Sequence, residues 1–321
     1  MPEPTKKLKR LGCFLAVVVG MGSAWFLGLF NRGTTDFGPP LTPVAKFDHP
    51  KMEEVSGLVA SARYPDVLWA HNDSGNEPRL FALTPKGEIV APEGADKPFP
   101  GIDVKNATLR DWEAIARNGE QLLICELGNN LNAGRKLGVY LLDEPDPHSA
   151  TEVPARFLKL TYPDQTGFPP TDRWHFDSEA AFCWDRRLYI LTKNRPAFRI
   201  YVQQDSTNLY SVDLREAGES AVLTRVDSAS GLGGWVTGAD ISPDGRWVAI
   251  LCESPQQCIW LFERPDRGEK LLSEAKSRRV FNFKEGGQLE AMAFHQSELI
   301  LVNEERQLFR ITMDQFEEVD P

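Results

Sequence analysis

Residues 111–116 read Asp111-Trp112-Glu113-Ala114-Ile115-Ala116, and four variants of this hexapeptide occur elsewhere in the chain. The variants begin at Glu54, Asp177, Trp235 and Gln288. Each places a hydrogen-bonding side chain directly before a Gly or Ala, with an apolar residue after it. The starting points are 57, 66, 58 and 53 residues apart. Such spacing is typical of one propeller blade per repeat.

Further strand-like runs follow each hexapeptide, bounded by Gly, Pro, Asn or Asp, whereas no amphipathic helix is evident beyond residue 43. A third run in each repeat pairs an aliphatic with an aromatic residue: Leu80-Phe81, Val139-Tyr140, Leu209-Tyr210, Ile259-Trp260 and Leu308-Phe309. Fourth strands are predicted at residues 88–91, 156–161, 222–226 and 279–283. The last repeat has none, and residues 44–47 can supply it, which closes the ring and removes an exposed edge. The sequence therefore predicts an all-β, five-bladed β-propeller in which the first and last segments pair.

The N-terminus has the pattern of a membrane anchor. A basic cluster at residues 6–10 precedes twenty uncharged residues, 11–30, which as a helix span roughly 30 Å. Positive charge on the N-terminal side places that end in the cytoplasm and the rest of the chain outside it. We therefore predict a cytoplasmic tail (1–10), a transmembrane helix (11–30), a linker (31–43) and the propeller (44–321).

A cleaved signal peptide is the alternative interpretation of this N-terminus. Gly22-Ser23-Ala24 provides a small-residue cleavage site. Cleavage there leaves an apolar new terminus that begins at Trp25, so we favour the uncleaved anchor.

Charge and cysteine content exclude some classes of partner. Residues 31–321 carry a net charge of −13, and no basic cluster interleaved with aromatics occurs among them, so nucleic acid is not an expected partner. No Cys-x-x-Cys or His-Glu-x-x-His zinc motif is present. Cys252 and Cys258 flank a five-residue turn, and the sequence leaves open whether they are bridged.

In a propeller, the first strand of each blade borders the central channel. The residue before each small residue is then expected at one mouth of the channel. These five residues are Ser56, Glu113, Glu179, Thr237 and Glu290. Second strands run antiparallel and return to the same mouth, where the sequence has Asp73, Glu126, Lys193, Glu253 and Glu304.

Three carboxylates at this mouth suggest a metal site. Glu113, Glu179 and Glu290 cannot all stay ionised at short range without compensation, and a cation between them would supply it. Carboxylate oxygens, with Ser and Thr hydroxyls or water, suit Ca²⁺ better than a transition metal. The alternative is a hydrogen-bonded carboxylate ring that fixes the blades without metal. The other polar residues at this mouth are candidates for ligand binding: Ser56, Thr237, Asp73, Glu126, Lys193, Glu253 and Glu304.

Catalytic candidates are fewer. His71 and His175 fall near the same mouth and have the chemistry of general bases, although structural roles are the competing interpretation. The Asn72–Asn76 loop has the composition of a turn and, alternatively, of a cation loop. No Gly-x-Ser-x-Gly motif occurs beyond residue 43, which disfavours an ordinary serine esterase.

The whole pattern resembles the SdiA-regulated family of bacterial membrane-anchored propellers. The likeness spans residues 44–314 and is clearest at residues 55–58, 111–115, 179–182, 236–239 and 288–292, with Lys193 and Glu304 also matching. The family is related to phytase-like and lactonase-like propellers, some of which hold Ca²⁺ in the channel. The resemblance implies a metal site at Glu113, Glu179 and Glu290. It also implies a single-pass protein of the bacterial inner (plasma) membrane, with its C-terminal domain in the periplasm or outside the cell.

Three functional hypotheses follow. In the first, an anchored, monomeric propeller binds a divalent cation, expected to be Ca²⁺, together with a small-molecule, glycan or protein ligand on the same face. In the second, it is a metal-dependent hydrolase of a lactone, ester or phosphoester. In the third, it is a metal-free scaffold for protein interactions, since a propeller fold alone does not determine function.

Overall fold

The computed structural model describes residues 38–319. In this range the chain forms β-strands and loops, with one 3₁₀ turn at Met313–Gln315 and no α-helix. None of the described residues belongs to a helix suited to crossing a bilayer. The predicted tail (1–10) and anchor (11–30) lie outside the described residues. The all-β prediction is confirmed for the part that is described.

Strand-rich blades follow one another along the chain, after a short leading strand, β1 (Ala45–Lys46). Blade 1 contains β2 (Val55–Ala60), β3 (Leu68–Asn72), β4 (Arg79–Leu83), β5 (Ile89–Val90) and β6 (Ile102–Lys105). The second repeat contains β7 (Trp112–Asn118), β8 (Gln121–Glu126), β9 (Gly138–Asp143), β10 (Glu152–Pro154) and β11 (Arg156–Thr161).

The third repeat contains β12 (Arg173–Trp174), β13 (Ser178–Trp184), β14 (Arg187–Thr192), β15 (Arg195–Pro196), β16 (Ser206–Asp213), β17 (Ser220–Val222) and β18 (Thr224–Ser230). The fourth contains β19 (Gly234–Ile241), β20 (Trp247–Pro255), β21 (Gln257–Glu263) and β22 (Arg278–Phe283). The fifth contains β23 (Leu289–His295), β24 (Glu298–Asn303) and β25 (Gln307–Thr312), and β26 (Glu317–Val319) follows it.

The first strands of the five blades form the inner wall of a ring. Each of β2, β7, β13, β19 and β23 contacts the first strands of both neighbouring blades, so the circle is complete. At the outer side of blade 5, β1 pairs antiparallel with β25, with Ala45 opposite Leu308. The predictions of five blades and of closure by the N-terminal segment are therefore confirmed.

At some outer edges, a strand from one repeat pairs with the sheet of the preceding blade. β10 leaves the second repeat to pair in parallel with β6 of blade 1, and β17 leaves the third to pair in parallel with β11 of blade 2. The C-terminal β26 pairs antiparallel with β22 of blade 4. In each case the segment after the third strand of one blade covers the outer edge of the preceding blade. This arrangement protects edges that would otherwise be exposed.

Apolar side chains fill the five interfaces between adjacent blades, and each interface has its own buried cluster. The second strand of blade 2 illustrates why. Leu122 and Ile124 pack toward blade 1, whereas Leu123 and Cys125 pack toward blade 3. Because successive strand residues point to opposite faces, a strand buried on both sides is a continuous apolar run.

Two details differ from the sequence-based expectation. The predicted fourth strand at residues 88–91 is only the two-residue β5, and the sheet of blade 1 continues instead through β6. Ile200-Tyr201, a further aliphatic–aromatic pair that predicts an inserted hairpin or a longer outer edge in the third repeat, lies in a turn. The short β15 in this region pairs with β12, which precedes blade 3.

Candidate functional site

All five first strands contain a β-bulge at the same place. The pairing register breaks between Val55 and Gly57, and at the equivalent points in β7, β13, β19 and β23. The residues skipped by the register are Ser56, Glu113, Glu179, Thr237 and Glu290. A bulge leaves one residue out of the ladder and redirects its side chain. The small residue that follows each of them resumes pairing, which accounts for the repeated hexapeptide.

Three carboxylates converge between blades 1 and 2. Asp73, which follows β3, and Asp111 and Glu113 of blade 2 have side-chain oxygens that lie within 4.8 Å of one another. Ser56 Oγ donates to Glu113 Oε2 at 3.4 Å. Among residues 38–319, no cationic side chain forms an ion pair with Asp73, Asp111 or Glu113. This group, named here the blade 2 cluster, therefore has no ion-pair partner in the described part of the chain.

Gly128 makes room for the blade 2 cluster. A Cβ at this position would lie 2.3 Å from Asp111 Cγ and 2.6 Å from Glu113 Oε1. Such distances are far inside van der Waals contact, so no other residue type fits without moving the carboxylates. The Asp111 and Glu113 carboxylates thus lie directly against the backbone of Gly128.

Blade 3 carries the same Asp-x-Glu sequence with counter-ions built in. Arg195 Nη1 lies 2.5 Å from Asp177 Oδ2, and both residues are almost fully buried. Lys193 forms an ion pair with Glu179. The Lys193 amide donates to the Asp177 carbonyl oxygen at 2.9 Å, as the Gly128 amide donates to the Asp111 carbonyl oxygen at 3.2 Å. Gly128 thus occupies in blade 2 the place that Lys193 holds in blade 3.

Trp235 of blade 4 holds the two cations of blade 3 in place. Lys193 Nζ lies 5.2 Å and Arg195 Cζ 4.9 Å from the centre of its indole ring. Arg195 Nη2 also donates to Asn130 Oδ1 at 2.7 Å, and Arg195 Nε donates to the Ile200 carbonyl oxygen at 2.9 Å. Because Arg195 is fully bonded, it is suited to fixing Asp177 rather than to receiving a ligand. One acceptor stays open, since the buried Glu179 Oε2 has no hydrogen-bond partner.

The electrostatics of the blade 2 cluster follow from burial and mutual repulsion. Burial, followed by the charges of Asp73 and Asp177, raises the pKa of Asp111 to about 8. Burial raises the pKa of Asp73 to about 6, and Glu179 adds to this. The pKa of Glu113 is raised well above its ordinary value by burial and then by Asp73. At neutral pH the cluster therefore either binds protons or requires a cation.

Across blades 4 and 5 the predicted residues have protein partners. Gln288 Nε2 donates to Glu290 Oε1 at 2.8 Å and to Glu304 Oε1 at 2.7 Å. Glu253 Oε1 accepts from the Leu289 amide at 3.1 Å and from Gln257 Nε2 at 2.8 Å. Burial, and secondly Glu179, raise the pKa of Glu290 well above its ordinary value. Burial likewise raises the pKa of Glu253 to about 8.

Thr237 and Glu126 act on the backbone of neighbouring strands. Thr237 Oγ1 donates to the Leu289 carbonyl oxygen at 3.0 Å. Glu126 accepts from the amides of Arg110 at 3.2 Å and Asp111 at 2.9 Å, and its Oε1 lies 3.2 Å from Arg110 Nη2. Glu126 therefore holds Asp111 at the start of the bulged strand.

Burial and nearby carboxylates act on the pKa of Lys193 in opposite directions. Burial alone would lower its pKa, but the carboxylates of Glu179 and Glu290 more than offset this, so the pKa is raised. The ammonium stays charged at neutral pH and partly neutralises the acids of blades 3 and 5. Its charge also lowers the pKa of Asp73, although burial outweighs this effect.

The two candidate general bases, His71 and His175, lie in different surroundings. His71 is fully buried between Gly57, where a Cβ would lie 2.2 Å from His71 Nε2, and the Trp112 ring 5.4 Å away. Burial lowers its pKa to about 4. His175 Nε2 is 2.9 Å from Gln204 Oε1, and burial lowers its pKa too. His71 packs in the blade wall because the bulge leaves Gly57 against its ring.

The three glutamates of the predicted metal site thus have different protein partners. Glu113 lies in the blade 2 cluster, Glu179 is paired with Lys193, and Glu290 is hydrogen-bonded to Gln288. Asp111 and Gly128 were not among the predicted site residues. The signal for Asp111 was present, because the same Asp-x-Glu pair recurs at Asp177 and Glu179. Gly128 gave no such signal, since glycine after a strand is common.

Comparisons with known proteins add no functional assignment. No protein-family model matches the sequence, and no curated protein sequence matches it. Among solved structures, a chain of the nidogen/laminin complex aligns at 12% identity with a TM-score of 0.44, covering 85% of this chain and 81% of that chain. Hydrazine synthase of Kuenenia stuttgartiensis aligns at 11% identity with a TM-score of 0.41, covering 83% of this chain and 79% of that chain.

A putative TolB from Agrobacterium tumefaciens aligns at 16% identity with a TM-score of 0.37, covering 83% of this chain and 80% of that chain. These scores are too low to support any argument from likeness. The resemblance to the SdiA-regulated family stays a prediction from sequence motifs.

Proposed function

We propose that this propeller binds a divalent cation through Asp73, Asp111 and Glu113 at the channel mouth. One observation carries the proposal, namely that the Asp-x-Glu motif of blade 2 lacks the counter-ions that the same motif has in blade 3. Bringing together three carboxylates, one buried and two partly buried, without compensation is costly. A bound cation offsets that cost, and Gly128 leaves the space that a lysine side chain would otherwise fill.

Ca²⁺ is the ion that this set of donors suits best. The cluster offers carboxylate oxygens from three side chains, with the Ser56 hydroxyl beside Glu113. Ca²⁺ takes six to eight oxygen ligands in flexible geometry, and water can complete such a shell. Transition metals prefer imidazole or thiolate, and His71 turns a buried ring toward Gly57 rather than joining the cluster.

The cation also provides a docking point for a ligand at this mouth. A small molecule, glycan or protein with an acidic or hydroxyl group would complete the coordination shell from the solvent side. Asp73 and Asp111 are only partly buried, which leaves that side open. The predicted anchor at residues 11–30 would hold this face outside the cytoplasm, as the basic residues before it indicate.

The alternatives lack a specific observation in their favour. A hydrolase needs a general acid or base near the cation; His71 is fully buried in the blade wall, and His175 is hydrogen-bonded to Gln204. A metal-free scaffold needs the blade 2 cluster to stay neutral through bound protons. That alternative makes a different prediction for added Ca²⁺, which the following experiment uses.

Metal content and thermal stability test the proposal. The full chain, purified in the presence of Ca²⁺ and dialysed, is expected to retain about one Ca²⁺ per chain by elemental analysis. Added Ca²⁺ should raise the unfolding temperature, because a ligand that binds only the native state stabilises it. Glu113→Gln should abolish both effects. Absence of retained metal, together with an unfolding temperature unaffected by Ca²⁺, would refute cation binding and leave the metal-free scaffold.

A further inference from the structure

Cys252 and Cys258 face each other across the hairpin of blade 4. Cys252 is the register partner of Cys258 in the antiparallel pair β20–β21. Both side chains are fully buried in the cluster between blades 3 and 4. Cys258 Sγ donates to the Leu232 carbonyl oxygen at 3.3 Å. The two thiols thus lie at opposed positions in the same buried cluster.

Facing positions on antiparallel strands meet the geometric requirement for a disulfide. Directly opposed residues have Cα atoms about 4.5–5.5 Å apart, and their side chains leave the sheet on the same face. Disulfides span Cα distances of roughly 4.4–6.8 Å. Bond formation therefore needs rotation of the side chains and no movement of the strands.

We infer that Cys252 and Cys258 are a redox site that forms an intrachain disulfide across β20 and β21. The oxidant is a small-molecule disulfide such as oxidised glutathione. One cysteine thiolate attacks it to give a mixed disulfide and one free glutathione. The second thiolate then displaces the other glutathione, so two thiols lose two electrons and two protons while one glutathione disulfide becomes two thiols.

The bond would fix the end of the β20–β21 hairpin, which forms hydrogen bonds to blade 5. Between the two cysteines lie Glu253, which accepts from the Leu289 amide, and Gln257, whose Nε2 donates to the Gly287 carbonyl oxygen at 2.6 Å. These contacts hold the start of β23. The disulfide would therefore fix the hairpin end that contacts the start of β23, whether or not the blade 2 cluster binds a cation.

The other two cysteines of the described part serve as internal controls. Cys125 lies on β8 and Cys183 on β13, so they belong to different blades and are not register partners. Both are buried in the cluster between blades 2 and 3. They are expected to stay thiols under conditions that bridge Cys252 and Cys258.

Mass spectrometry tests the inference directly. The full chain is incubated with oxidised glutathione, either folded or during refolding from denaturant, because burial protects the folded thiols. After alkylation in denaturant, trypsin releases residues 247–267, since Pro265 blocks cleavage after Arg264. In at least one arm this peptide should lack both alkyl groups and two hydrogens. Two alkylated cysteines, or a glutathione adduct, in both arms would overturn the inference.

A stability measurement supplies the second test. Reduction of the bridged chain should lower its unfolding temperature by roughly 2–5 °C, because the bond restricts the unfolded state. The double variant Cys252→Ala/Cys258→Ala should show no such redox dependence, and Cys125→Ala should keep it. A redox-dependent shift that persists in the double variant would place the bond elsewhere and overturn the inference.

Discussion

Gly128 and Lys193 hold equivalent places in neighbouring blades, and their side chains give those blades opposite electrostatics. In blade 3 the Lys193 ammonium pairs with Glu179, while Arg195 pairs with Asp177. In blade 2 the glycine places backbone against Asp111 and Glu113 and contributes no charge. The residue at this position therefore decides whether the Asp-x-Glu motif is neutralised within the protein, as in blade 3, or needs an external cation, as in blade 2.

Gly128→Ala tests the role of Gly128 in the blade 2 cluster by adding a single methyl group. The added Cβ would lie 2.3 Å from Asp111 Cγ, so the carboxylates must move apart. We expect Ca²⁺ affinity measured by calorimetry to fall roughly tenfold or more, because site geometry sets affinity. Gly218→Ala is the matched control, since a Cβ at Gly218 would have no neighbour within 4 Å. Equal affinities in both variants would contradict the assignment of Gly128.

Arg195→Met tests the buried pair of blade 3. Asp177 is fully buried, and removing its partner leaves an uncompensated carboxylate, which costs about 3–5 kcal/mol in comparable cases. Urea denaturation should show this loss. The double variant Asp177→Asn/Arg195→Met should recover part of the stability, because no charge is then left unpaired. If the double variant is no more stable than the single one, the loss arises from packing against Trp235 and not from charge.

Sequence reasoning reached some of these residues and missed others for identifiable reasons. The bulged position before each Gly or Ala was readable from the repeated hexapeptide, because a strand that must approach the channel axis requires a small residue. The partner of each carboxylate was not readable. Arg195 and Lys193 follow the same strand, yet only the fold shows that one reaches Asp177 and the other Glu179.

At the scale of elements, outer strands link the second, third and fifth repeats to the blade that precedes each of them. β26 is three residues long, and the chain leading to it buries Phe316 in the interface between blades 4 and 5. The ring of Phe316 lies 5.9 Å from that of Phe281 on β22. The end of the described chain thus closes the outer edge of blade 4.

Phe316→Ala is expected to destabilise the fold by about 2–4 kcal/mol, since it removes a buried aromatic ring. Chemical denaturation would measure the change. Phe198→Ala is the matched control, because Phe198 is 60% exposed and its loss should cost no more than about 0.5 kcal/mol. Similar losses in the two variants would contradict a structural role for the β26 segment.

Strand identity was predictable where a segment is buried on both sides, and less so at the edges. The aliphatic–aromatic pairs of the third strands all fall within observed strands, for example Leu80-Phe81 in β4. By contrast β6 and β10, which pair with each other, have few large apolar residues. Their strand conformation comes from pairing partners far along the chain, which local patterns do not reveal.

At the scale of the whole molecule, the acids at the channel mouth link stability to pH. In the native state the pKa of Asp73 is about 6 and that of Asp111 about 8, above the ordinary value of 3.8. Without a cation, the native state holds these protons more tightly than the unfolded chain. Their stabilising contribution is therefore complete below about pH 4 and is lost as the pH rises through 6 to 8.

We expect the unfolding temperature in chelator to fall between about pH 5.5 and pH 8, and to fall less in Asp111→Asn, which lacks one titrating group. Added Ca²⁺ should reverse the trend in the unsubstituted chain, because it binds the ionised form. Differential scanning fluorimetry across this pH range provides the measurement. Identical pH profiles for the two chains would show that Asp111 does not titrate with folding.

The number of blades and the closure of the ring were predictable, because both depend on repeats and pairing that recur along the whole chain. The ion site was predictable only as a region. Five bulged residues identify the mouth, but which carboxylates meet depends on side chains from two blades, such as Asp73 and Asp111. The sequence places Glu113, Glu179 and Glu290 in equivalent positions, and their different partners emerge only from the fold.

Calorimetric titration of Ca²⁺ into the full chain and two variants tests the central claim most directly. If the cation is bound at the blade 2 cluster, Asp111→Asn should weaken binding roughly tenfold or more, whereas Glu290→Gln should change it little. Both substitutions remove one negative charge from the same mouth, so a general electrostatic effect would weaken them alike. Unchanged affinity in Asp111→Asn with a large loss in Glu290→Gln would contradict the account and place the ion among Glu113, Glu179 and Glu290.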